Sequence, residues 1–183
     1  MLLNKLSDHK IILASASPRR RELLKGLGID FEVELNGECD ESYESNIPLL
    51  DVSKFISLKK SKAFYRELLP FEILVTADTV VICDNVVLGK PTDNEDAYKM
   101  LTFLSGKTHI VSTGVTIRSS EKNKTFDVIT RVTFRKLTEN EIKYYINNYS
   151  PLDKAGAYGA QEWIGYVSIE NIEGSYFNVM GFP

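Results

Sequence analysis

The segment Ile73-Leu74-Val75-Thr76-Ala77-Asp78-Thr79-Val80-Val81-Ile82-Cys83 is the most apolar run in the chain. It falls well short of membrane-spanning length, so it reads as a central strand around which a buried sheet must form. Asp78 interrupts it. A lone carboxylate is expensive there, so Asp78 is either hydrogen-bonded and paired or works on a metal or a water.

A second constraint lies upstream, in Ile11-Ile12-Leu13-Ala14-Ser15-Ala16-Ser17-Pro18-Arg19-Arg20-Arg21-Glu22-Leu23-Leu24. A short apolar run, small hydroxyl residues, a proline and then a basic amphipathic segment spell strand, tight turn and helix start, with Ser17 as the expected N-cap. Free N–H groups, two hydroxyls and up to three guanidinium groups gather at the end of a strand, where open α/β sheets bind ligands. Such a place attracts phosphate.

The chain has 183 residues, enough for one sizeable core or for two small lobes sharing a cleft. Its net charge of -3 argues against a general grip on nucleic acid, so any anion site must be local. Cys39 and Cys83 are too few for a disulfide framework, and no Cys/His cluster suggests zinc. Residues Met1 to Asp8 lack the apolar core of a signal peptide. The expectation is a cytoplasmic protein with no membrane or nucleic-acid partner.

The spacing predicts a helix from Pro18 to Leu27 stopped by Gly28, a strand over Phe31 to Leu35, and an acidic turn from Asn36 to Glu44. After Pro48 a helical pattern runs through Leu49, Val52, Phe55, Ile56 and Leu58 and on through Ala63, Phe64 and Leu68. Of Lys59, Lys60 and Lys62 within it, at most one or two can point into a site. Asp84-Asn85 turns the chain back toward Lys90, and Asp93 to Leu104 reads as a helix. Thr108 to Ile117 and Thr125 to Phe134 form a long hairpin, in which His109 is read as structural. Thr138 and Glu141 open a helix with a capping box. Residues 151–161 form a glycine-rich connector, and Trp163 to Ile169 reads as a strand. One α/β domain over residues 1–183, with a smaller lobe at about 107–137, accounts for the whole.

A basic loop at a helix start, an acidic loop, a carboxylate within an apolar strand and isolated lysines are the parts needed to hold a polyphosphate, neutralise it with a divalent cation and aim a water at one phosphorus. No Gly-Lys-Ser/Thr loop and no Gly-x-Ser-x-Gly elbow appears, which disfavours P-loop and serine-hydrolase chemistry. Leu13-Ala14-Ser15-Ala16-Ser17-Pro18-Arg19-Arg20, Asp40-Glu41, Lys62-Ala63, Ala77-Asp78-Thr79-Val80, Gly89-Lys90-Pro91, Ser105-Gly106-Lys107, Asp153-Lys154-Ala155-Gly156-Ala157-Tyr158-Gly159, Gly174-Ser175-Tyr176 and Asn178-Val179-Met180-Gly181 occur in that order. In these motifs the chain resembles the Maf family of nucleoside triphosphate pyrophosphatases over nearly its whole length.

The resemblance implies a two-lobed mixed α/β sheet with flanking helices and a central cleft, similar to the inosine triphosphate pyrophosphatases. It implies hydrolysis of a nucleoside triphosphate to the monophosphate and pyrophosphate with Mg²⁺ or Mn²⁺, by a protein that forms homodimers. Asp78 matches the catalytic carboxylate that accepts the proton of the attacking water, and Glu41 matches an acidic position beside it; both would hold the metal. Ser15, Arg20, Lys62 and Lys90 match positions that hold the triphosphate. Arg19, Thr79 and Gln161 match the branch that cleaves dTTP and UTP. Two departures stand out: Ala160-Gln161-Glu162-Trp163 replaces the usual Ile-Gln-Gly, and the family adds a helix after the position of Pro183. A nucleotide-binding regulator of division or septum formation, without turnover, is the alternative reading.

Overall fold

The computed structural model describes residues 6–35 and 39–183. Met1–Lys5, read above for a signal sequence, and Asn36–Glu38 of the acidic turn lie outside the described residues. The chain is a mixed α/β structure: strands β1 (Lys10–Leu13), β2 (Phe31–Val33), β3 (Glu72–Cys83), β4 (Val86–Leu88), β5 (Thr108–Arg118), β6 (Asn123–Phe134) and β7 (Ile169–Glu173) make one sheet. Its order is β2-β1-β3-β5-β6-β7, with β4 paired to β3. β1 runs parallel to both β2 and β3, which requires crossovers, and helices α1 (Pro18–Gly26) and α2 (Val52–Lys62) supply them. Helices α3 (Asn94–Leu104), α4 (Glu139–Tyr149), α5 (Trp163–Ser168) and α6 (Tyr176–Met180) follow.

The chain divides into two compact units. The first comprises Met1–Asp78, Thr113–Asp127 and Phe182, and the second Thr79–Ser112, Val128–Gly181 and Pro183. In the first, Ile11, Leu13, Val75, Ala77 and Val115 pack with Leu24 of α1 and with Phe182, while Ile12, Ala14 and Leu74 pack with Phe64. Helix α2 lies against the sheet through a row of small residues, Ser53, Ser57 and Ser61, all fully buried. Small side chains let helix and strand backbones close up, and the hydroxyls need partners: Ser57 Oγ is 3.1 Å from Thr116 Oγ1, and Thr76 Oγ1 donates to the Ser57 carbonyl at 2.8 Å. Gly114 completes the contact, since a Cβ there would stand 2.3 Å from the Ser53 carbonyl.

In the second unit Val81, Leu101, Leu104, Val132, Phe134, Ile142, Tyr145 and Ile164 form one buried cluster. Asp93 caps α3 by accepting from Asp96 N, and Thr138 and Glu141 make the reciprocal capping box of α4. Asp84 and Asn85 both take positive φ in a two-residue hairpin turn, as that turn requires. His109 is 1 % exposed, its Nε2 lies 2.8 Å from Tyr158 Oη, and its ring meets Phe134 edge-on, so it is the structural histidine expected.

Three local expectations are corrected. α2 stops at Lys62: Phe64 and Leu68 continue the apolar spacing but reach Ile12, Ala14 and Leu74 from irregular backbone. Trp163 to Ser168 is helix, and the strand begins only at Ile169. Its buried residues Ile164, Gly165 and Ser168 follow helical spacing, and Gly165 sits so close to the Ala160 carbonyl that no Cβ fits. Ser17 occupies the N-cap position of α1 without a side-chain cap bond.

Two stability predictions follow from this packing. Gly114→Ala should cost about 3 kcal/mol or more and lower Tm by roughly 6–12 °C, read by thermal unfolding. Burial holds His109 at about 4, below its ordinary value, so its neutral form stabilises the fold fully above about pH 6.5 and progressively less as pH falls toward 4. Melting curves of His109→Gln between pH 7 and 4 should lose that segment of acid sensitivity, and an unchanged slope would contradict it.

Candidate active site

The site grows from three neighbouring pieces of the first unit. β1 ends at Leu13, and Ala14 N still donates to Val75 O at 3.0 Å, which holds the following turn against β3. Ser15 is buried there, and its Oγ accepts from Ser17 N at 3.2 Å. Arg20, two residues into α1, brings its Nη1 to 3.5 Å from that Oγ. Burial pushes the Arg20 guanidinium down, Asp78 pulls it back up, Arg19 adds to the decrease and Glu41 opposes it. The arginine-bearing turn and the strand carboxylate are therefore within electrostatic reach of each other.

Asp78 is 6 % exposed. Its Oδ1 accepts from Lys60 Nζ at 2.7 Å, and the same Nζ lies 2.8 Å from Glu41 Oε1. One ammonium from α2 thus bridges a buried carboxylate in β3 and a half-exposed one from the acidic loop. Next to it, Lys59 Nζ binds Asp40 Oδ2 at 2.8 Å and the Ser42 carbonyl at 3.0 Å, while Ser42 donates to Asp40 through both N and Oγ. Lys59 first and Ser42 second hold the Asp40 carboxyl well below the usual range. This clasp ties the acidic loop to α2 and sets Glu41 over Lys60.

Ser15, Arg19, Arg20, Glu41 and Asp78 all belong to the first unit. Lys62 is exposed and lines a groove with Arg118. The lysine that reaches Asp78 is Lys60, which the sequence reading left unassigned. Its signal was present: Lys60 follows Val52, Ser53, Ile56 and Ser57 on the buried row of α2, whereas Lys62 is turned roughly 200° from it.

Thr79, Lys90 and Gln161 lie in the second unit. Thr79 directly follows Asp78 in β3. Lys90 is exposed beyond the β4 hairpin, where the Gly89 carbonyl accepts from Gly156 N at 2.9 Å. Gln161 Oε1 is buried without a hydrogen-bond partner among the described residues, an acceptor left for something else to satisfy. Beside it stands a polar network that sequence reasoning missed. Lys154 Nζ, on a side chain only 7 % exposed, contacts Asp153 at 2.7 Å and Glu162 Oε1 at 3.0 Å. Tyr145 Oη donates to Glu162 Oε2 and accepts from Gly159 N at 3.0 Å. Burial, then Glu162, raises the Tyr145 hydroxyl.

Among the described residues no group of three or more His, Cys, Asp or Glu side chains converges as a ready metal cage. Asp78 and Glu41 nevertheless already share one cation, the Lys60 ammonium, through hard oxygen donors. Two carboxylates with the remaining positions left to water and phosphate are the donor set that suits Mg²⁺ or Mn²⁺.

Proteins of Phocaeicola vulgatus, Bacteroides thetaiotaomicron and Flavobacterium psychrophilum, each named dTTP/UTP pyrophosphatase, are similar to this chain at 48 %, 47 % and 49 % identity. The matches cover 100 % of this chain and 94 %, 94 % and 93 % of the relatives. The family described as Maf, Maf-like protein, matches residues 10–183, and the chain belongs to it.

Proposed function

We propose that this protein hydrolyses dTTP and UTP, and modified pyrimidine analogues of them, to the nucleoside monophosphate and pyrophosphate. The observation that carries the reading is the Lys60-bridged pair of Asp78 and Glu41 within electrostatic reach of Arg20. The names of the relatives support the substrate class.

In this reading Asp78 accepts the proton of the attacking water. Its burial in β3 keeps bulk solvent from competing for that carboxylate, and Lys60 fixes its orientation. Ser15 and the guanidinium groups of Arg19 and Arg20 bind phosphate oxygens, as donors at a helix start do well. A divalent cation on Asp78 and Glu41 would supply neutralisation of the triphosphate and of charge building on the leaving pyrophosphate. Lys90 is assigned to the phosphates, and Thr79 and Gln161 to the pyrimidine; the unsatisfied acceptor of Gln161 suits the N3–H of thymine or uracil. No helix among the described residues is long and apolar enough to cross a membrane, and we place the enzyme in the cytoplasm. A homodimer is the proposed assembly.

Incubation with dTTP or UTP and Mg²⁺ or Mn²⁺ should give a phosphate signal only when inorganic pyrophosphatase is added. Orthophosphate released without that enzyme would contradict cleavage between the α and β phosphorus atoms. Asp78→Asn should lower kcat by roughly 10²–10⁴-fold while dTTP binding, measured by calorimetry, changes little. Lys60→Met should cost about 10²-fold in kcat through misplacement of Asp78.

A further inference from the structure

Residues 159–162 form a tight turn in the second unit, closed by Glu162 N donating to the Gly159 carbonyl at 3.0 Å, with Ala160 and Gln161 at its two central positions. A turn held by one backbone bond is ordinarily pliable. This one is held from both sides. Gly165 N donates to the Glu162 carbonyl at 2.9 Å, and Gly165 packs so closely that a Cβ would stand 1.9 Å from the Ala160 carbonyl oxygen. On the other side Tyr145 Oη accepts from Gly159 N at 3.0 Å.

Glu162 stands at the N-cap position of α5 but makes no side-chain cap bond there. Its carboxylate folds back over Gly159, where a Cβ would meet Glu162 Cδ at 2.9 Å and Lys154 Cε at 3.1 Å. Oε1 lies 3.0 Å from Lys154 Nζ, and Oε2 accepts from Tyr145 Oη. The Lys154 and Glu162 side chains are 7 % and 20 % exposed, and Tyr145 is fully buried. An ion pair so enclosed adds little net stability while its geometry is exacting, so its effect falls on the backbone it holds. Glu162 is also one of the residues at which the sequence departs from the family's Ile-Gln-Gly.

We propose that Glu162, held by Lys154 and Tyr145, is a positioning residue for pyrimidine selectivity: it fixes the turn that carries Gln161 and thereby restricts how the Gln161 carboxamide meets the base. This role rests on Gln161 facing the pyrimidine, as assigned above. A carboxamide carries an acceptor and a donor of nearly equal size, and on a loose turn it can rotate to offer either. Thymine and uracil present N3–H, whereas cytosine presents a bare N3, so an amide free to rotate accepts all three. Only a held one tells them apart.

The test compares the full chain with Glu162→Gln, Tyr145→Phe and Gln161→Ala. Glu162→Gln keeps the volume, and Asp153, 2.7 Å from Lys154 Nζ, still serves that ammonium. Tyr145→Phe leaves the Lys154–Glu162 pair and removes the other anchor. Both should lower the preference for dTTP over dCTP in kcat/KM by about five- to tenfold, through KM, with kcat for dTTP within about twofold. In NMR spectra of the chain without nucleotide, the Gln161 side-chain amide signals should move toward those of free glutamine. Val132→Ala, in the buried cluster of the same unit, should lower Tm without moving the preference. A preference lost in Gln161→Ala but kept in both other variants would overturn the role of Glu162 alone. A preference kept in Gln161→Ala as well would overturn the assignment of Gln161 to the pyrimidine, and this role with it. An equal fall in Val132→Ala would also overturn it, since general loosening would then suffice. Reading the same preference from calorimetric affinities makes the decision independent of turnover, and should Glu162→Gln fail to fold, Tyr145→Phe gives it.

Discussion

A carboxylate inside an apolar strand has to bring its own cation, and in this chain Lys60 is that cation for Asp78. Much of the first unit follows from this requirement. To deliver an ammonium to the middle of β3, α2 must lie close against the sheet, and the row of Ser53, Ser57 and Ser61 against Gly114 and Thr116 permits that approach. Ordinary leucines in that row would fill it better but hold the helix farther out. Lys60 then closes the arrangement by also taking Glu41, so one side chain sets the spacing of two carboxylates that would otherwise repel.

The anion side is built on a different principle. Ser15 Oγ supports the turn after β1 by accepting from Ser17 N, and Arg20 reaches the same oxygen from the first turn of α1. Arg20 is desolvated in part and held charged by Asp78 and Glu41, so positive and negative groups of the cluster depend on one another. In the proposed reaction a triphosphate with a divalent cation would replace this internal pairing by an equivalent external one, and the exchange would cost little because each charge passes from one partner to another instead of being stranded.

The strand carrying Asp78, the turn carrying Ser15 and the arginines, both hairpins and the capped helix from Glu139 were legible because each is dictated by a local pattern: apolar runs, Pro at a helix start, Asp-Asn at a turn, Thr-x-x-Glu at a cap. Trp163 to Ser168 was not, because six residues with four apolar side chains carry no decisive period and the deciding contact, Gly165 on the Ala160 carbonyl, is tertiary. The choice between Lys60 and Lys62 was open for a related reason. Motif resemblance pointed to the second lysine, while the buried serines that mark the first as inward-facing look polar in sequence and gain meaning only against Gly114. The Lys154, Glu162 and Tyr145 network was invisible because its members, Tyr145 and Glu162 being 17 residues apart, come from α4, the glycine-rich connector and the residue after it, and no helical or strand period relates them.

Whether Lys60 and Asp78 act as one device is decided by a double-mutant cycle on kcat for dTTP with Lys60→Met, Asp78→Asn and both together. If the lysine serves only to hold that carboxylate, the double variant should be no slower than Asp78→Asn alone, leaving a large coupling energy. Rate losses that simply multiply would mean the two residues work independently, and would contradict the account.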